Sequence, residues 1–476
     1  MVSAGKKPRR FDYNLIVIGA GSAGLVAAYV AATAKARVAL IEQSEMGGDC
    51  LNTGCVPSKA LIRSAKLAHD GAVAAAFGLK GRLEPDFAAV MARVRGVIAK
   101  VAPHDSAARY RALGVEVIAG RACIVDPWTV EVGDRKLSAR KLIVATGAEP
   151  FLPPIPGLAD VAPLTSETLW RLETAPRRLL VLGGGAIGCE LAQAFARLGV
   201  AVTLVESAAR LLIREDEEVS QAMRAALIGD GVEVIENVAV TSFSEGRATL
   251  ADGRSIDFDR VLVAVGRRPR LEGFGLEELG LIENGRLVVD DRLRTKLPTI
   301  YAAGDVIGQL QFTHAAGSYG AAAALNGLLS PMRPGKAKLA PFPAVIYTDP
   351  EIARVGLNES EARAQGIGYE VTRYEMKELD RAIADGAEEG FIKVLTVPGR
   401  DRILGVTIVG ARAGDMLSEF TLAMRHGLGL KAIFATIHPY PGWSDAARAP
   451  AGEWRRARAP AWALRFSQRL FAWARG

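Results

Sequence analysis

The sequence predicts an α/β fold with two related units, followed by a third unit of α+β type. A strand, a glycine-rich turn, a helix and a second strand occur near the N-terminus and occur again 164 residues later. The 50 glycines among 476 residues suit tight turns between strands and helices. The length exceeds that of one ordinary core, so we expect several domains.

The first copy of the repeat begins at Asn14 as NLIVIGAGSAGLVAAYVAATAKARVALIE, and the second begins at Arg178 as RLLVLGGGAIGCELAQAFARLGVAVTLVE. In each copy a glutamate follows the third glycine by 18 residues and closes the second strand. This spacing indicates a Rossmann-like unit, in which amides at the helix N-terminus meet the pyrophosphate of a dinucleotide. The predicted contacts are Gly19, Gly21, Gly24 and Glu42 in the first copy and Gly183, Gly185, Gly188 and Glu206 in the second.

A second landmark recurs after each repeat, where an apolar strand ends at a glycine and a proline follows. KLIVATGAEP contains Gly147 and RVLVAVGRRP contains Gly266, and these glycines are only 119 residues apart. The first copy therefore holds about 45 more residues before its landmark than the second. Those residues contain Cys50 and Cys55, so the first unit carries an insertion with reactive groups. We assign both landmark glycines to the dinucleotide sites.

These landmarks divide the chain into five segments. After residue 340, alternating apolar runs such as FIKVLTV and RILGVTIVG precede a helical stretch, a pattern typical of an antiparallel sheet with helices. The predicted segments are the first part of the first nucleotide-binding domain (1–150), the second nucleotide-binding domain (151–275), the return to the first domain (276–340), an α+β domain (341–450) and a basic tail rich in Trp and Arg (451–476).

Composition excludes several classes of protein. The formal net charge of +7 is small for this length and the basic residues are dispersed, so we predict no nucleic-acid partner. The basic N-terminus leads directly into a strand at Leu15, unlike a secretion signal. No apolar run reaches the ~18 residues that a membrane-spanning helix needs. We expect a cytoplasmic protein.

The segment GGDCLNTGCVPSKAL contains Cys50 and Cys55, with Pro57 suited to the first turn of a helix. The dipole and free amides at a helix N-terminus stabilise a thiolate, which makes such a thiol a nucleophile or an electron acceptor. The alternatives are two unconnected thiols or a metal site. No further Cys or His lies nearby in the sequence, so we predict no metal. Cys123 and Cys189, in apolar segments, are interpreted as inert.

On these motifs the chain resembles the pyridine nucleotide disulfide oxidoreductases, a family that includes dihydrolipoamide dehydrogenase, glutathione reductase and mercuric reductase. The resemblance covers nearly the whole sequence. It implies FAD at the first glycine turn and a nicotinamide dinucleotide at the second. It also implies a homodimer, in which residues 341–450 form the dimerisation domain and complete the active site of the partner subunit.

The resemblance also implies roles for individual residues around the flavin. Cys55 corresponds to the thiol that contacts the flavin, and Cys50 to the thiol that exchanges with substrate. Lys59 and Glu190 resemble the ion pair beside the flavin ring. In AAGDV, Asp305 resembles the aspartate on the flavin side of FAD, and Gly304 before it is assigned to the same site.

Glu206 favours NADH as the nicotinamide dinucleotide. A carboxylate accepts a hydrogen bond from the 2′-hydroxyl of a ribose and repels a 2′-phosphate. Arg210, four residues later, is the feature that would weaken this preference, so NADPH is the alternative.

The C-terminal segment departs from the disulfide-reducing members of the family, which carry His-Pro and a glutamate five residues after the histidine. Here Asp445 takes the acidic position, so Tyr440 takes the position of the base. Tyrosine has a pKa of about 10 and is a poorer base than histidine, at about 6.5. His438, two residues earlier, is the alternative base. Mercuric reductase resembles this chain in having the tyrosine, but typically ends in a cysteine pair that this chain lacks.

Three functions follow as hypotheses. In the first, electrons pass from NADH through FAD to the Cys50–Cys55 disulfide and on to a small thiol or disulfide, a protein thiol or a metal ion. In the second, the acceptor is a quinone or oxygen and the cysteines are not required. In the third, the chain is a nucleotide-binding, redox-sensing subunit with slow turnover.

The C-terminal tail differs in composition from the rest of the chain. Four of the six tryptophans lie from Trp443 onward, and the seven arginines from Arg448 onward accompany one acid, Glu453. A helix is predicted from Ala461, with Leu464 and Phe471 assigned to the other face. Two interpretations are open, peripheral contact with the inner face of a membrane or packing against the dimer. The residues on the first face and its flanks are Trp462, Phe466, Leu470, Trp473, Arg465 and Arg469.

Overall fold

The computed structural model describes residues 7–81, 83–330, 332, 335–337 and 339–476. The interpretation of the N-terminus as lacking a secretion signal falls partly on residues 1–6, which lie outside the described residues. The chain divides into two compact units. The first comprises Met1–Ser207 and Val238–Leu339, and the second comprises Ala208–Asn237 and Ala340–Gly476.

The strands form two mainly parallel sheets and several short antiparallel pairs in the first unit, and an antiparallel sheet in the second. In chain order they are β1 (Tyr13–Ile18), β2 (Val38–Glu42), β3 (Val115–Ala119), β4 (Ala122–Asp126), β5 (Thr129–Val132), β6 (Arg135–Val144), β7 (Ala148–Pro150), β8 (Leu164–Thr165), β9 (Arg178–Leu182), β10 (Ala201–Val205), β11 (Glu233–Ile235), β12 (Val240–Ser244), β13 (Arg247–Leu250), β14 (Ser255–Asp257), β15 (Arg260–Val263), β16 (Arg267–Pro269), β17 (Ile282–Glu283), β18 (Arg286–Leu287), β19 (Ile300–Ala302), β20 (Pro343–Ile346), β21 (Glu351–Gly356), β22 (Glu370–Glu375), β23 (Phe391–Thr396) and β24 (Ile403–Gly410).

The helices range from single turns to five turns. In chain order they are α1 (Ser22–Thr33), α2 (Gly48–Asn52), α3 (Cys55–Val73), α4 (Phe87–Val101), α5 (Ala107–Ala112), α6 (Ala186–Arg197), α7 (Glu217–Gly229), α8 (Thr313–Leu329), α9 (Glu359–Ala364), α10 (Asp380–Ala384), α11 (Ala413–Arg425), α12 (Leu430–Ala435), α13 (Asp445–Ala457) and α14 (Ala461–Trp473). Within the described part of the chain, none of them has the length and apolar character needed to cross a bilayer.

The first unit holds two sheets that begin with the same β-α-β arrangement. In the first sheet the order is β3-β2-β1-β6-β5-β4, and β19 also pairs with β6. In the second, β10, β9, β15 and β8 lie side by side in parallel. The central strands of both sheets are buried apolar runs, as expected for parallel strands covered on both faces.

Small residues allow α1 to pack closely against α8. A Cβ atom at Gly320 in α8 would lie 2.1 Å from the carbonyl oxygen of Ala23 in α1, so the helix backbones meet where no side chain fits. Alanines and glycines fill both helices along this contact. The abundance of these residues in the sequence therefore has a direct structural cause.

The two recurring landmarks of the sequence meet in the structure. The strand ends at Val144 and Val263 lead into β7 and β16, which pair as a short antiparallel ribbon. Pro150 and Arg267 are direct partners in this ribbon. The chain therefore passes from the first sheet to the second, and back again, through the two strands of this ribbon.

The second unit is built on the antiparallel sheet β20-β21-β24-β23-β22. Strands β23 and β24 are almost wholly buried, and α11, α12 and α13 contribute Phe420, Ile433 and Trp454 to the core against them. This α+β arrangement agrees with the alternation of apolar residues in the sequence.

Lys393 on β23 is a buried cation at the centre of an acidic cluster in the second unit. Its side chain is only 2% exposed, and its ammonium group lies 2.7 Å from Asp216 and 2.9 Å from Glu359 and also pairs with Glu218. Burial alone would lower the pKa of Lys393, but the hydrogen bonds to these carboxylates outweigh it and raise the pKa above its usual value. Lys393 thus provides the positive charge that the three carboxylates require.

We predict that Lys393→Met lowers the free energy of unfolding by about 3–5 kcal/mol at neutral pH, because converging carboxylates lose their counterion. Burial raises the pKa values of Asp216 and Glu359, but hydrogen bonds with Lys393 and others bring both below their usual values. This stabilisation is complete above the usual carboxyl pKa and is lost as the pH falls.

Calorimetry from acid to neutral pH measures the effect, and the wild-type and variant stabilities should converge in acid. The control is Lys377→Met at an exposed position of the same unit, with an expected change within about 0.5 kcal/mol. A Lys393→Met protein as stable as this control at neutral pH would contradict the assignment.

Candidate active site

The turn between β1 and α1 is shaped by glycines with different tasks. Gly19 has a φ of +101°, a conformation that favours glycine, and a Cβ at Gly24 would lie only 1.8 Å from the carbonyl oxygen of Gly19. At Gly21 a Cβ would have no neighbour closer than 3.9 Å, so the missing side chain leaves open space at the helix N-terminus. Glu42 accepts a hydrogen bond from the backbone amide of Ala20 at 2.6 Å. An open, amide-lined turn of this kind fits a dinucleotide pyrophosphate.

The turn between β9 and α6 repeats this geometry. Gly183 has a φ of +104°, and a Cβ at Gly188 would lie 1.8 Å from its carbonyl oxygen, while the space at Gly185 is open. Glu206 accepts a hydrogen bond from the backbone amide of Gly184 at 2.6 Å. The second turn therefore also fits a dinucleotide.

Cys50 and Cys55 lie at the junction of two short helical segments. Cys50 is half-buried in α2, and Cys55 is the exposed first residue of α3, and both are free thiols. The Cys55 sulfur lies 3.2 Å from the hydroxyl oxygen of Thr313 at the start of α8. The two thiols also share a hydrogen bond. The pair therefore has the proximity that formation of a disulfide requires.

The environment makes the two thiols chemically different. The hydrogen bond from Cys50, followed by one from Thr313 and the charge of Lys59, lowers the pKa of Cys55 to about 6 despite burial. The same hydrogen bond and burial raise the pKa of Cys50. The reduced pair therefore carries its thiolate on Cys55 and its proton on Cys50 at neutral pH.

Lys59 and Glu190 form the predicted ion pair. The Lys59 ammonium group donates to Glu190 at 2.7 Å, and the glutamate side chain is 7% exposed while that of the lysine is 35% exposed. Lys59 lies one turn after Cys55 on α3, and Glu190 lies on α6 just beyond the second glycine turn. The pair thus links the cysteine helix to the second nucleotide-binding fold.

Arg267, which the sequence argument did not single out, connects the cysteine segment to the returning chain. Its guanidinium group forms an ion pair with Asp49, the neighbour of Cys50, and donates to the carbonyl oxygen of Ala148 at 2.7 Å. It also donates to the hydroxyl group of Ser166 at 3.1 Å. The signal for this contact was the arginine directly after the landmark glycine in VGRRP.

The remaining residues predicted to contact the cofactors lie at strand ends in the same unit. Gly147 and Gly266 have positive φ angles of +75° and +136°, and a Cβ at either would meet nothing within 4 Å. Gly304 has a φ of +83° and precedes Asp305, which begins a short 3-10 turn. Burial raises the pKa of the Asp305 carboxyl to about 6, although the charge of Arg267 opposes this effect.

In the second unit, Tyr440 is an exposed donor and not a free base. Its hydroxyl group donates to Asp380 at 2.8 Å, and this bond and the carboxylate charge raise the pKa of the tyrosine above its usual value. The expected partner, Asp445, instead begins α13 and acts on Tyr440 only through its charge. The structure therefore assigns the hydrogen bond to an aspartate that sequence spacing did not indicate.

The ring of His438 is in hydrogen-bonding contact with the protein at both nitrogens. Nε2 lies 2.9 Å from a carboxylate oxygen of Glu419, Nδ1 lies 3.0 Å from the carbonyl oxygen of Thr436, and the side chain is 4% exposed. Both ring nitrogens of His438 therefore lie within hydrogen-bonding distance of protein oxygen atoms.

Comparisons with known proteins agree with this geometry. The profile described as pyridine nucleotide-disulphide oxidoreductase matches residues 13–320, and the profile of the dimerisation domain of that family matches residues 342–450. A dihydrolipoyl dehydrogenase of Thermus scotoductus is 39% identical over 447 residues, which cover 91% of this chain and 95% of the relative. A mercuric reductase of Acidithiobacillus ferrooxidans is 35% identical over 455 residues, covering 90% and 80%.

A solved structure is similar over a comparable length. It is the Cu(II) complex of the HOCl-induced flavoprotein disulfide reductase RclA from Escherichia coli, with a TM-score of 0.83 and 29% identity. The similarity covers 92% of this chain and 99% of that one.

The fold and these matches define an FAD-dependent oxidoreductase with two nucleotide-binding glycine turns. The chain belongs to the pyridine nucleotide-disulfide oxidoreductase family, as its sequence indicated. The predicted fold class is therefore confirmed. Members of this family use FAD and NAD(H) as cofactors, and the dimerisation domain supports a homodimer.

We predict that Lys59→Met and Thr313→Val each raise the pKa of the Cys55 thiol above about 6, because one removes a positive charge and the other a hydrogen bond. The pH dependence of Cys55 alkylation in reduced protein, followed by mass spectrometry, measures this pKa. The midpoint should move to higher pH in both variants. Lys66→Met, two turns further along α3, is the matched charge control, and a midpoint shared by all four proteins would refute the electrostatic explanation.

Proposed function

We propose that this homodimeric enzyme moves electrons from NADH, through FAD, to the Cys50–Cys55 pair and then to the disulfide form of a small or protein thiol/disulfide couple or to a metal ion. The observation that carries the proposal is the hydrogen-bonded thiol pair, in which the pKa of Cys55 is lowered to about 6. FAD, when bound, would supply the group that accepts a hydride from NADH and passes its two electrons to a disulfide.

The thiols can perform disulfide exchange with balanced chemistry. Cys50 loses its proton and attacks one sulfur of an acceptor disulfide, which releases the first acceptor thiol and forms a mixed disulfide. The Cys55 thiolate then attacks the sulfur of Cys50, which releases the second thiol and closes the Cys50–Cys55 disulfide. Two electrons leave the protein in each cycle. With a metal acceptor, the same two sulfurs are soft ligands for the ion.

We propose that separate segments of the chain hold the two cofactors and the dimer interface. Residues 1–150 and 276–340 would hold FAD, 151–275 would hold the nicotinamide dinucleotide, and 341–450 would form the dimer interface. The open turns at Gly21 and Gly185 support this division, because a Cβ at either position would have no neighbour closer than 3.9 Å where a pyrophosphate must approach. Lys59 would hold positive charge near the flavin, and Glu190 would keep it in place.

The state of Tyr440 favours an acceptor that needs little proton removal. Its hydroxyl group donates to Asp380, and its pKa is raised, so it is a weak base at neutral pH. Mercuric reductase and a Cu(II)-bound flavoprotein reductase are among the similar proteins. A soft metal ion bound by the two cysteine sulfurs fits this arrangement better than an acceptor disulfide, whose reduction requires Cys50 to lose its proton first.

The second candidate acceptor is a quinone or oxygen, with the cysteine pair as a bystander. The raised pKa of Tyr440 also supports this alternative, because neither acceptor requires a base beside the thiols. A redox-sensing subunit with slow turnover is the third candidate. We also propose a cytoplasmic protein that contacts a membrane peripherally through residues 451–476, since α14 exposes its large apolar side chains.

We predict that anaerobic NADH, added to the oxidised holoenzyme, exposes two new free thiols per subunit, identified as Cys50 and Cys55 by alkylation and mass spectrometry. Cys50→Ser and Cys55→Ser should each abolish turnover with disulfide or metal acceptors, because a single sulfur cannot close the disulfide. Cys123→Ser is the matched control and should retain turnover. Full quinone reduction without new thiols would instead support the second candidate.

We predict that Glu206→Gln raises the KM for NADH roughly tenfold or more, because a charge-assisted hydrogen bond to the ribose contributes about 1.5–3 kcal/mol. The preference for NADH over NADPH should fall in parallel. Arg210 donates to Ser220 and to the carbonyl oxygen of Glu215, so its guanidinium group is already engaged in its own unit. The equivalent change in the first repeat, Glu42→Gln, is the control and should weaken FAD retention with no change in this preference. An unchanged NADH to NADPH ratio in Glu206→Gln would count against the assignment.

A further inference from the structure

Helix α14 presents an unusually apolar surface. Its six large apolar side chains are between 45% and 80% exposed, and none of its residues is buried. Soluble proteins seldom expose so many neighbouring large apolar groups without a partner. The helix also lies beyond residue 450, where the match to the dimerisation domain ends. These six side chains are Trp462, Leu464, Phe466, Leu470, Phe471 and Trp473.

Four of the six large apolar groups form one sector of the helix. At about 100° per residue, Trp462, Trp473, Phe466 and Leu470 lie within roughly 80° of one another. Arg469 and Arg465 lie beside this sector, next to Trp462. Phe471 and Leu464 lie roughly 180–200° from Trp462, on the other face, as assigned from the sequence. An apolar sector flanked by cationic side chains is typical of helices at a membrane interface.

The charge of this region selects an anionic surface. No aspartate or glutamate occurs from Trp454 to the C-terminus, and Arg465, Arg469 and Arg475 are all exposed. Each arginine near an anionic lipid surface contributes about 1 kcal/mol to binding. A second copy of the same helix would bring like charges together, whereas anionic headgroups complement them.

Helix α13 attaches this surface firmly to the second unit. Trp454 is 4% exposed, and the guanidinium group of Arg458 lies 4.5 Å from the centre of its ring. Arg458 also forms an ion pair with Glu370 on β22. Because α14 begins at Ala461, only a short turn separates it from this anchored end. At about 1.5 Å per residue, a helix of this length is suited to lie in the interface and too short to span a bilayer.

We propose that α14 binds the surface of an anionic membrane, with its apolar sector among the acyl chains and its arginines among the headgroups. This deepens the membrane contact put forward with the proposed function and is independent of the electron-transfer chemistry. Two tryptophans, Trp462 and Trp473, mark the two ends of the inserted helix. Docking would hold the homodimer at the surface through two such helices, one from each subunit.

The test is flotation of the full-length holoenzyme with vesicles of phosphatidylcholine alone or with added phosphatidylglycerol. The wild type should bind the anionic vesicles, with a blue shift of tryptophan fluorescence, and bind neutral vesicles much less. Arg465→Gln/Arg469→Gln should weaken binding on the order of thirtyfold, since two arginines are lost. Arg400→Gln/Arg402→Gln removes the same charge at exposed positions elsewhere and should bind as the wild type does.

A second variant tests the apolar sector directly. Trp462→Ser/Phe466→Ser/Trp473→Ser keeps every arginine and should abolish the retention of protein on anionic vesicles at high salt. Absence of binding by the wild type, equal binding to neutral and anionic vesicles, or tail-dependent self-association without lipid binding would each overturn the proposal. NADH oxidation, measured in the same samples, should be the same for all variants in solution. A defect in the electron-transfer function is thereby separated from a defect in docking.

Discussion

The close approach of strand and helix in each glycine turn is the constraint on which the rest of the first unit depends. At Gly24 and at Gly188, an added Cβ would lie 1.8 Å from the carbonyl oxygen of the first glycine of the turn. A larger residue would push the helix away from the strand, and its N-terminal amides would leave the place where a pyrophosphate arrives. The same turns hold Glu42 and Glu206 through backbone amides. The same steric requirement therefore shapes both glycine turns, and at the second turn it fixes α6, the helix that carries Glu190 of the Lys59–Glu190 pair.

The reactivity beside these turns depends on two cysteine thiols, which are identical groups in different environments. Cys55 begins a helix, faces Thr313 and feels the charge of Lys59, whereas Cys50 holds the shared proton. A pair with equal environments would hold no defined thiolate at neutral pH. Arg267 restrains the helical segment that carries Cys50 through its bond to Asp49, so the asymmetry is built into the backbone as well as into the charges.

The fold was largely predictable because buried parallel strands are apolar runs and because the glycine turn has a fixed spacing to its acid. The ion pair of Lys59 and Glu190 was predictable only through family resemblance, and the structure contains it. Arg267 and Asp49 were missed because they are 218 positions apart in the chain and no local pattern joins them. The five-residue spacing from Asp445 predicted Tyr440 as its partner, but the hydrogen-bond acceptor for Tyr440 is Asp380 in α10, 60 residues away in the sequence. The strand order of the C-terminal sheet could not be predicted either, because the alternation of apolar residues indicates a strand but not which strand pairs with it.

The ribbon of β7 and β16 bears on how such an enzyme changes during evolution. Pro150 and Arg267 are ladder partners, so the intervening segment starts and finishes at one point in space. A segment with coincident ends can be exchanged between related genes without stretching or shortening the host chain. Recombination at this single junction would therefore replace strands β8 to β15, with the second glycine turn, Glu190 and Glu206, in one event.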